Sequence, residues 1–243
     1  MMCQDKVAIV TGAAGNGMGR SVALTLAREG AKVVVNYLTS EESANQIVGH
    51  INNHGGSAIA VRADVMQQDQ CKALVDTAAQ AFGQIDICII GPGAGWHMEP
   101  IDKLDASASL DDIQREVSPI YNLMPLVLPD MYNRKWGRLI GLALHPFKLP
   151  PAYAYNSAKC ARSSALLRAY DAAWQHGVTV NVIAPGPVNH LSSLAEAIEL
   201  CEHGNAWESR SNVTPQDVAE GIALLCSESG RFISGCELPY MFH

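Results

Sequence analysis

Short runs in which almost every residue is apolar alternate along the chain with longer runs in which apolar residues recur every three or four positions. The first kind reads as strands at 6–11, 32–36, 58–62, 86–90, 137–143 and 178–183, with a last short one near 235–239. The second kind reads as helices over 18–29, 41–54, 67–82, 109–134, 153–175 and 215–228. Strand and helix by turns is the pattern of an α/β fold, a parallel sheet with helices on both faces. The stretch 188–213 is polar and rich in Ser and Glu, and reads as irregular or helical. No repeat, low-complexity segment or linker interrupts the alternation, so residues 1–243 read as a single domain.

Composition narrows the function. A hydrophobic content of 48% is enough for a large core, and a net charge of −7 argues against a nucleic-acid partner. No apolar run reaches the roughly 18 residues that a membrane span needs. Strand-like residues begin at once with Lys6-Val7-Ala8-Ile9-Val10, which is unlike a signal peptide. The seven cysteines are scattered with no Cys-x-x-Cys, which fits reduced thiols in a cytoplasmic protein and gives no metal site.

The first strand runs into Thr11-Gly12-Ala13-Ala14-Gly15-Asn16-Gly17-Met18-Gly19-Arg20 and then a helix. Glycines at such a turn let the backbone approach a pyrophosphate, and the helix N-terminus offers it free N–H groups. Gly12, Gly15, Asn16, Gly17, Met18 and Gly19 therefore read as a dinucleotide site. The second strand ends in Asn36-Tyr37-Leu38-Thr39-Ser40 with no Asp or Glu for a ribose 2′-hydroxyl. Without a carboxylate to repel a 2′-phosphate, Asn36 and Tyr37 favour NADP(H) over NAD(H), although no arginine stands next to them in sequence. Asp64, followed by Val65 after the third strand, could accept a hydrogen bond from adenine or cap the next helix. Gly91-Pro92-Gly93, after the fourth strand, is a small-residue turn that would lie under the cofactor. Trp96 and His97 beyond it read first as a surface pair and second as lining the substrate side.

Tyr155 and Lys159 stand one helical turn apart, on the same helix face. An ammonium beside a phenol favours phenolate and lowers a pKa that starts near ~10. That is the ingredient of a proton donor in carbonyl reduction.

Taken together, Thr11-Gly12 with Gly17-Met18-Gly19, Asp64-Val65, Tyr155-x-x-x-Lys159 and Asn181-Val182-Ile183-Ala184-Pro185-Gly186-Pro187-Val188 resemble the short-chain dehydrogenase/reductase family over essentially the whole chain. Within it the chain is most similar to 3-oxoacyl-carrier-protein reductase and glucose dehydrogenase-like members. The resemblance implies a Rossmann-type, doubly wound three-layer sandwich with a seven-stranded parallel sheet, a nicotinamide cofactor, a small carbonyl or alcohol substrate, and a homotetramer or homodimer. It further implies that Tyr155 exchanges a proton with the substrate oxygen and that Lys159 lowers its pKa and holds the nicotinamide ribose. Pro185, Gly186 and Val188 would lie along the nicotinamide.

Five departures qualify the resemblance. Four residues separate Gly12 from Gly17 where the family has three, an insertion that a bulge at Gly15 can absorb. The family's Asn-Asn-Ala-Gly turn is Ile90-Gly91-Pro92-Gly93. The family serine that holds the substrate oxygen is missing, since no Ser or Thr occurs from Pro119 to Asn156 and the matching positions are Leu142 to Leu144. The family's helix asparagine aligns with Glu116, which reads as a solvated helix residue or, if it faces Lys159, as a charge that neutralises it. His190 stands where the family commonly has Thr. Losing a hydrogen bond to a developing charge costs roughly 2.7–4 kcal/mol. His145, or less readily Tyr153, could supply it. The expectation is an oxidoreductase with an altered oxyanion partner; the alternative is a catalytically weak nucleotide-binding scaffold or sensor of the same fold.

Overall fold

The computed structural model describes residues 1–144, 152–209 and 213–240. Strand β1 (Val7–Val10), helix α1 (Met18–Arg28), β2 (Lys32–Tyr37), α2 (Glu41–Asn53), β3 (Ser57–Arg62), α3 (Gln68–Phe82) and β4 (Ile87–Ile90) make the first half. The second half has α4 (Ala106–Arg134), β5 (Gly137–Leu142), α5 (Tyr153–Leu167), α6 (Tyr170–Trp174), β6 (Val178–Pro185), α7 (Leu194–His203), α8 (Pro215–Cys226) and β7 (Glu237–Tyr240). All seven strands pair in parallel in the order β3-β2-β1-β4-β5-β6-β7. This is the doubly wound arrangement expected. The order reverses between β1 and β4, and the crevice beyond their carboxyl ends is where such sheets bind ligands.

The continuous apolar runs follow from this packing, because a parallel strand is covered on both faces. Every residue of β1, β4, β5 and β6 is buried. One apolar layer gathers Val10, Val33, Leu26 and Ile222 on one face. The other gathers Ile9, Leu74, Leu123 and Leu166 on the opposite face. Helix ends carry local signals. Asp105 accepts from Ala108 N at 2.8 Å to start α4, and Gly83, at φ 89°, ends α3. Thr214 and Asp217 form a capping box with Pro215 in the first turn of α8.

The sequence reading is corrected in one region and narrowed in another. The expected helix over 153–175 is two helices, broken after Leu167. Within 188–213 there is a regular helix, α7, started by Ser193 accepting from Glu196 N at 3.1 Å. It buries Ala197 and Cys201 against α1.

Candidate active site

The glycine turn between β1 and α1 is shaped by its neighbours. Gly12, at φ 61°, adopts a conformation that other residues rarely take, and a Cβ there would stand 2.7 Å from Pro92 Cγ. A Cβ on Gly19 would meet the Gly12 carbonyl oxygen at 2.6 Å, so the helix packs against the turn only with glycine present. Gly15 and Gly17 have nothing within 4 Å of the equivalent point. The inserted residue is held by Arg20, whose guanidinium donates to Gly15 O at 3.0 Å and to Asn16 Oδ1. Helix α1 starts at Gly17 with no side-chain cap and no acidic residue in its first turn. An open glycine surface leading to an uncapped helix N-terminus fits a dinucleotide pyrophosphate.

Asn36 does not face outward, as its candidacy for the cofactor required. It is buried, accepts from Gly12 N at 3.2 Å, and donates to Val61 O at 3.3 Å and Ala63 O at 3.0 Å. Its amide ties the ends of β1, β2 and β3 together, so it shapes the turn and has no donor left for a ribose. The sequence reading also missed an arginine. Register pairs Tyr37 with Arg62, and the exposed Arg62 donates from Nε to Leu38 O at 3.2 Å. A guanidinium therefore stands beside the end of β2, brought there from the next strand.

Asp64 accepts from Met66 N at 3.0 Å, closing a turn around Val65. Helix α3 starts later, after Gln67, so of the two readings of Asp64 the helix cap is not the one observed. Gly91 donates its N–H to Thr11 Oγ1 at 2.9 Å, which fastens the Gly91-Pro92-Gly93 turn to the end of β1. Pro185 and Gly186 are buried at the end of β6, where Gly186 N donates to Tyr240 O at 3.1 Å. Val188 packs against the apolar layer beneath, and His190 is exposed.

Tyr155 and Lys159 share one face of α5, with the ammonium 5.2 Å from the centre of the phenol ring. Glu116 meets them there. It is wholly buried on α4, lies 2.8 Å from Lys159 Nζ, and accepts from Ala94 N at 2.8 Å. Its other oxygen lies 2.5 Å from Arg162 Nε. The sequence preference for a solvated Glu116 is therefore corrected: it faces Lys159. A Cβ on Gly93 would fall 2.3 Å from this carboxylate, which explains why the turn above it is glycine.

Arg162 is a second arginine that sequence reasoning missed. Fully buried, it donates to Ile90 O at 3.2 Å, Gly91 O at 2.9 Å, Leu142 O at 3.0 Å and Pro92 O. These carbonyls close the ends of β4 and β5, the region the absent asparagine side chains would have braced. One arginine thus satisfies buried backbone acceptors that would otherwise be costly.

The electrostatics run against the expected acidic phenol. Burial first, then the Glu116 carboxylate, push the Tyr155 phenol up to about 12, with the Arg162 guanidinium pulling the other way. Burial lowers the affinity of Lys159 for its proton, and Glu116 opposes that loss. The ammonium is balanced by its own carboxylate, so its pull on the phenol is weakened.

His145 lies outside the described residues. Tyr153 is 51% exposed, so it does not pack against the sheet. His97 is half-buried and sits edge-on to Tyr155, with ring centroids 6.4 Å apart.

A family model described as short chain dehydrogenase matches residues 6–199. The chain is 32% identical over 254 residues to a probable tetrahydroxynaphthalene reductase of Zymoseptoria tritici, covering 95% of this chain and 91% of that protein. It is 29% identical over 240 residues to a 3-oxoacyl-[acyl-carrier-protein] reductase of Staphylococcus aureus, covering 96% of each. Among solved structures it is similar to a 7α-hydroxysteroid dehydrogenase complexed with NADH and 7-oxo glycochenodeoxycholic acid. The TM-score is 0.84 and the identity 26%, covering 99% of this chain and 94% of that one.

Proposed function

Since the chain belongs to the short-chain dehydrogenase family of oxidoreductases, we propose that it interconverts a carbonyl and an alcohol with NADP(H), using Tyr155 as acid and base. The observation that carries this reading is the pairing of Tyr155 with Lys159 on α5, which reaches the carboxyl ends of the central strands through Arg162, the same end of the sheet as the open glycine turn.

A bound nicotinamide supplies or takes the hydride. The turn Gly12–Gly19 and the uncapped start of α1 hold the pyrophosphate, and Pro185, Gly186 and Val188 border the ring. Arg62 beside Tyr37, with no carboxylate ending β2, favours the 2′-phosphate of NADP(H). In reduction, Tyr155 gives its proton to the substrate oxygen. Lys159, fixed by Glu116, keeps the phenol's surroundings polar and offers donors to a ribose.

The substrate we favour is an apolar ring ketone. Trp96, Met98, Ile101 and Tyr153 are 57%, 60%, 65% and 51% exposed on the segments flanking Tyr155. The names of two relatives also point to ring compounds. A homotetramer or homodimer in a reducing cytoplasm goes with this reading.

Purified protein should oxidise NADPH in the presence of the bicyclic ketone tetralone, and Tyr155→Phe should not, while still quenching tryptophan fluorescence on binding NADPH. Turnover surviving in Tyr155→Phe removes the acid/base assignment.

A further inference from the structure

Resting on that reaction, we propose that His97, held by Asp112, donates a hydrogen bond to the substrate oxygen and so fills the place of the absent serine. Among the described residues at the end of β5, Leu142, Ala143 and Leu144 occupy the positions of the absent serine, and none has a side-chain donor. The His97 imidazole stands at 76° to the Tyr155 ring, edge toward it. Its Nε2 lies 3.2 Å from Asp112 Oδ2 on α4. That oxygen is buried and makes no hydrogen bond among the described residues, and the imidazole 3.2 Å away is within ion-pair reach of it. The opposite nitrogen, Nδ1, faces Gly95 O at 3.1 Å. Gly95 is exposed, and water can replace the ring at its carbonyl. Both contacts are donations only with a proton on each ring nitrogen, and a substrate oxygen arriving beside Gly95 O can then share the Nδ1 proton without the ring turning.

The backbone holds this donor in step with the phenol. Glu99, two residues after His97, forms an isolated parallel bridge with Ala152 and accepts at its carbonyl from Tyr153 N at 3.3 Å. Its carboxylate accepts from Asp105 N at 3.0 Å, which secures the far end of the same loop. His97 is therefore tied to the first turn of α5, which carries Tyr155. As hydride reaches the carbonyl carbon, the carbon–oxygen π pair moves onto oxygen. That oxygen takes the Tyr155 proton, and His97 stabilises the growing charge while keeping its own proton. Asp112 acts as a positioning residue through the ring.

The test measures NADPH oxidation with tetralone by the wild type, Tyr155→Phe, His97→Ala, His97→Gln and His145→Ala, each checked for wild-type circular dichroism and NADPH binding. His97→Ala should lose about 10²–10³ in kcat with KM little changed, and His97→Gln, which keeps an N–H donor, should recover at least about tenfold of it. In long-range proton–nitrogen spectra, Asp112→Asn should shift both ring nitrogens of His97 in the otherwise folded protein. Wild-type kcat in His97→Ala, with Tyr155→Phe inactive, overturns the proposal and leaves the oxidoreductase reading standing, as does a loss confined to His145→Ala. Unmoved His97 resonances in Asp112→Asn overturn the positioning role. A wild type that turns over nothing sinks the oxidoreductase reading, and this proposal with it.

Discussion

The carboxylate of Glu116 lies 2.8 Å from the ammonium of Lys159, which in turn stands 5.2 Å from the centre of the Tyr155 ring. Burial and this carboxylate place the phenol at about 12, so it is protonated throughout the neutral range. The sign matters for direction. An acid raised in this way is competent as a proton donor below its pKa and competent as a base only as pH climbs toward it. Carbonyl reduction should therefore show no loss attributable to Tyr155 from about pH 6 to about pH 9, while alcohol oxidation should rise about tenfold per pH unit over the same range. Rate profiles in both directions check this. An oxidation rate already level at neutral pH would mean that the phenol is acidic in the working enzyme.

Glu116 and Arg162 should behave as one unit. Removing one partner of a buried ion pair strands the other and costs about 3–5 kcal/mol. Glu116→Gln and Arg162→Leu should each fall in that range by urea unfolding. The double variant should cost less than their sum by about 1–3 kcal/mol, because neither charge is then left alone. Strict additivity would show that the two side chains do not depend on each other.

The glycines of the first turn separate stability from binding. Gly19→Ala drives a Cβ into the Gly12 carbonyl and should destabilise the fold by about 1–3 kcal/mol. Gly17→Ala meets open space, so its melting temperature should be close to wild type. Its methyl would occupy room we assign to the pyrophosphate, and NADPH affinity should fall at least about tenfold. Unchanged affinity in Gly17→Ala would move the cofactor elsewhere.

Arg62 gives a direct handle on cofactor choice. Arg62→Leu should weaken NADPH binding by about 1.5–3 kcal/mol, the worth of a charged hydrogen bond, and leave NADH nearly untouched. Fluorescence titration with both nucleotides decides it, and equal losses would exclude a 2′-phosphate contact. Asn36→Asp, by contrast, should not create an NAD site. It puts a carboxylate against the Val61 and Ala63 carbonyls, so lower stability is the expected result.

Much of the architecture was legible in the chain because buried strands and amphipathic helices leave different periods. Helix α7 was legible only as one of two readings of 188–213, since it is short and sits among Ser and Glu. Its stripe of Leu194, Ala197, Ile198 and Cys201, with Ser193 ahead of it, was the signal available. Tyr155 and Lys159 were singled out by their spacing taken together with the other motifs in the chain. Arg162 was not singled out, although it follows Lys159 by three residues and so shares its face. If Lys159 points inward, Arg162 does too and needs a buried acid. Glu116 is that acid, but the pair joins residues far apart in sequence, and only the packing of α4 on α5 shows it. The inward turn of Asn36 was equally hidden, because an amide at a strand end suits a ligand and a backbone bridge alike.

The pairing of Glu99 with Ala152 has an implication for how substrate preference can drift. The loop carrying Trp96 and Met98 is stitched to the start of α5, the helix that carries Tyr155, so the loop cannot be exchanged while the helix stays put. Chimeras that import a relative's loop alone should misplace the reacting groups. Transplants that carry the loop together with the opening turn of α5 are the ones that should remain productive.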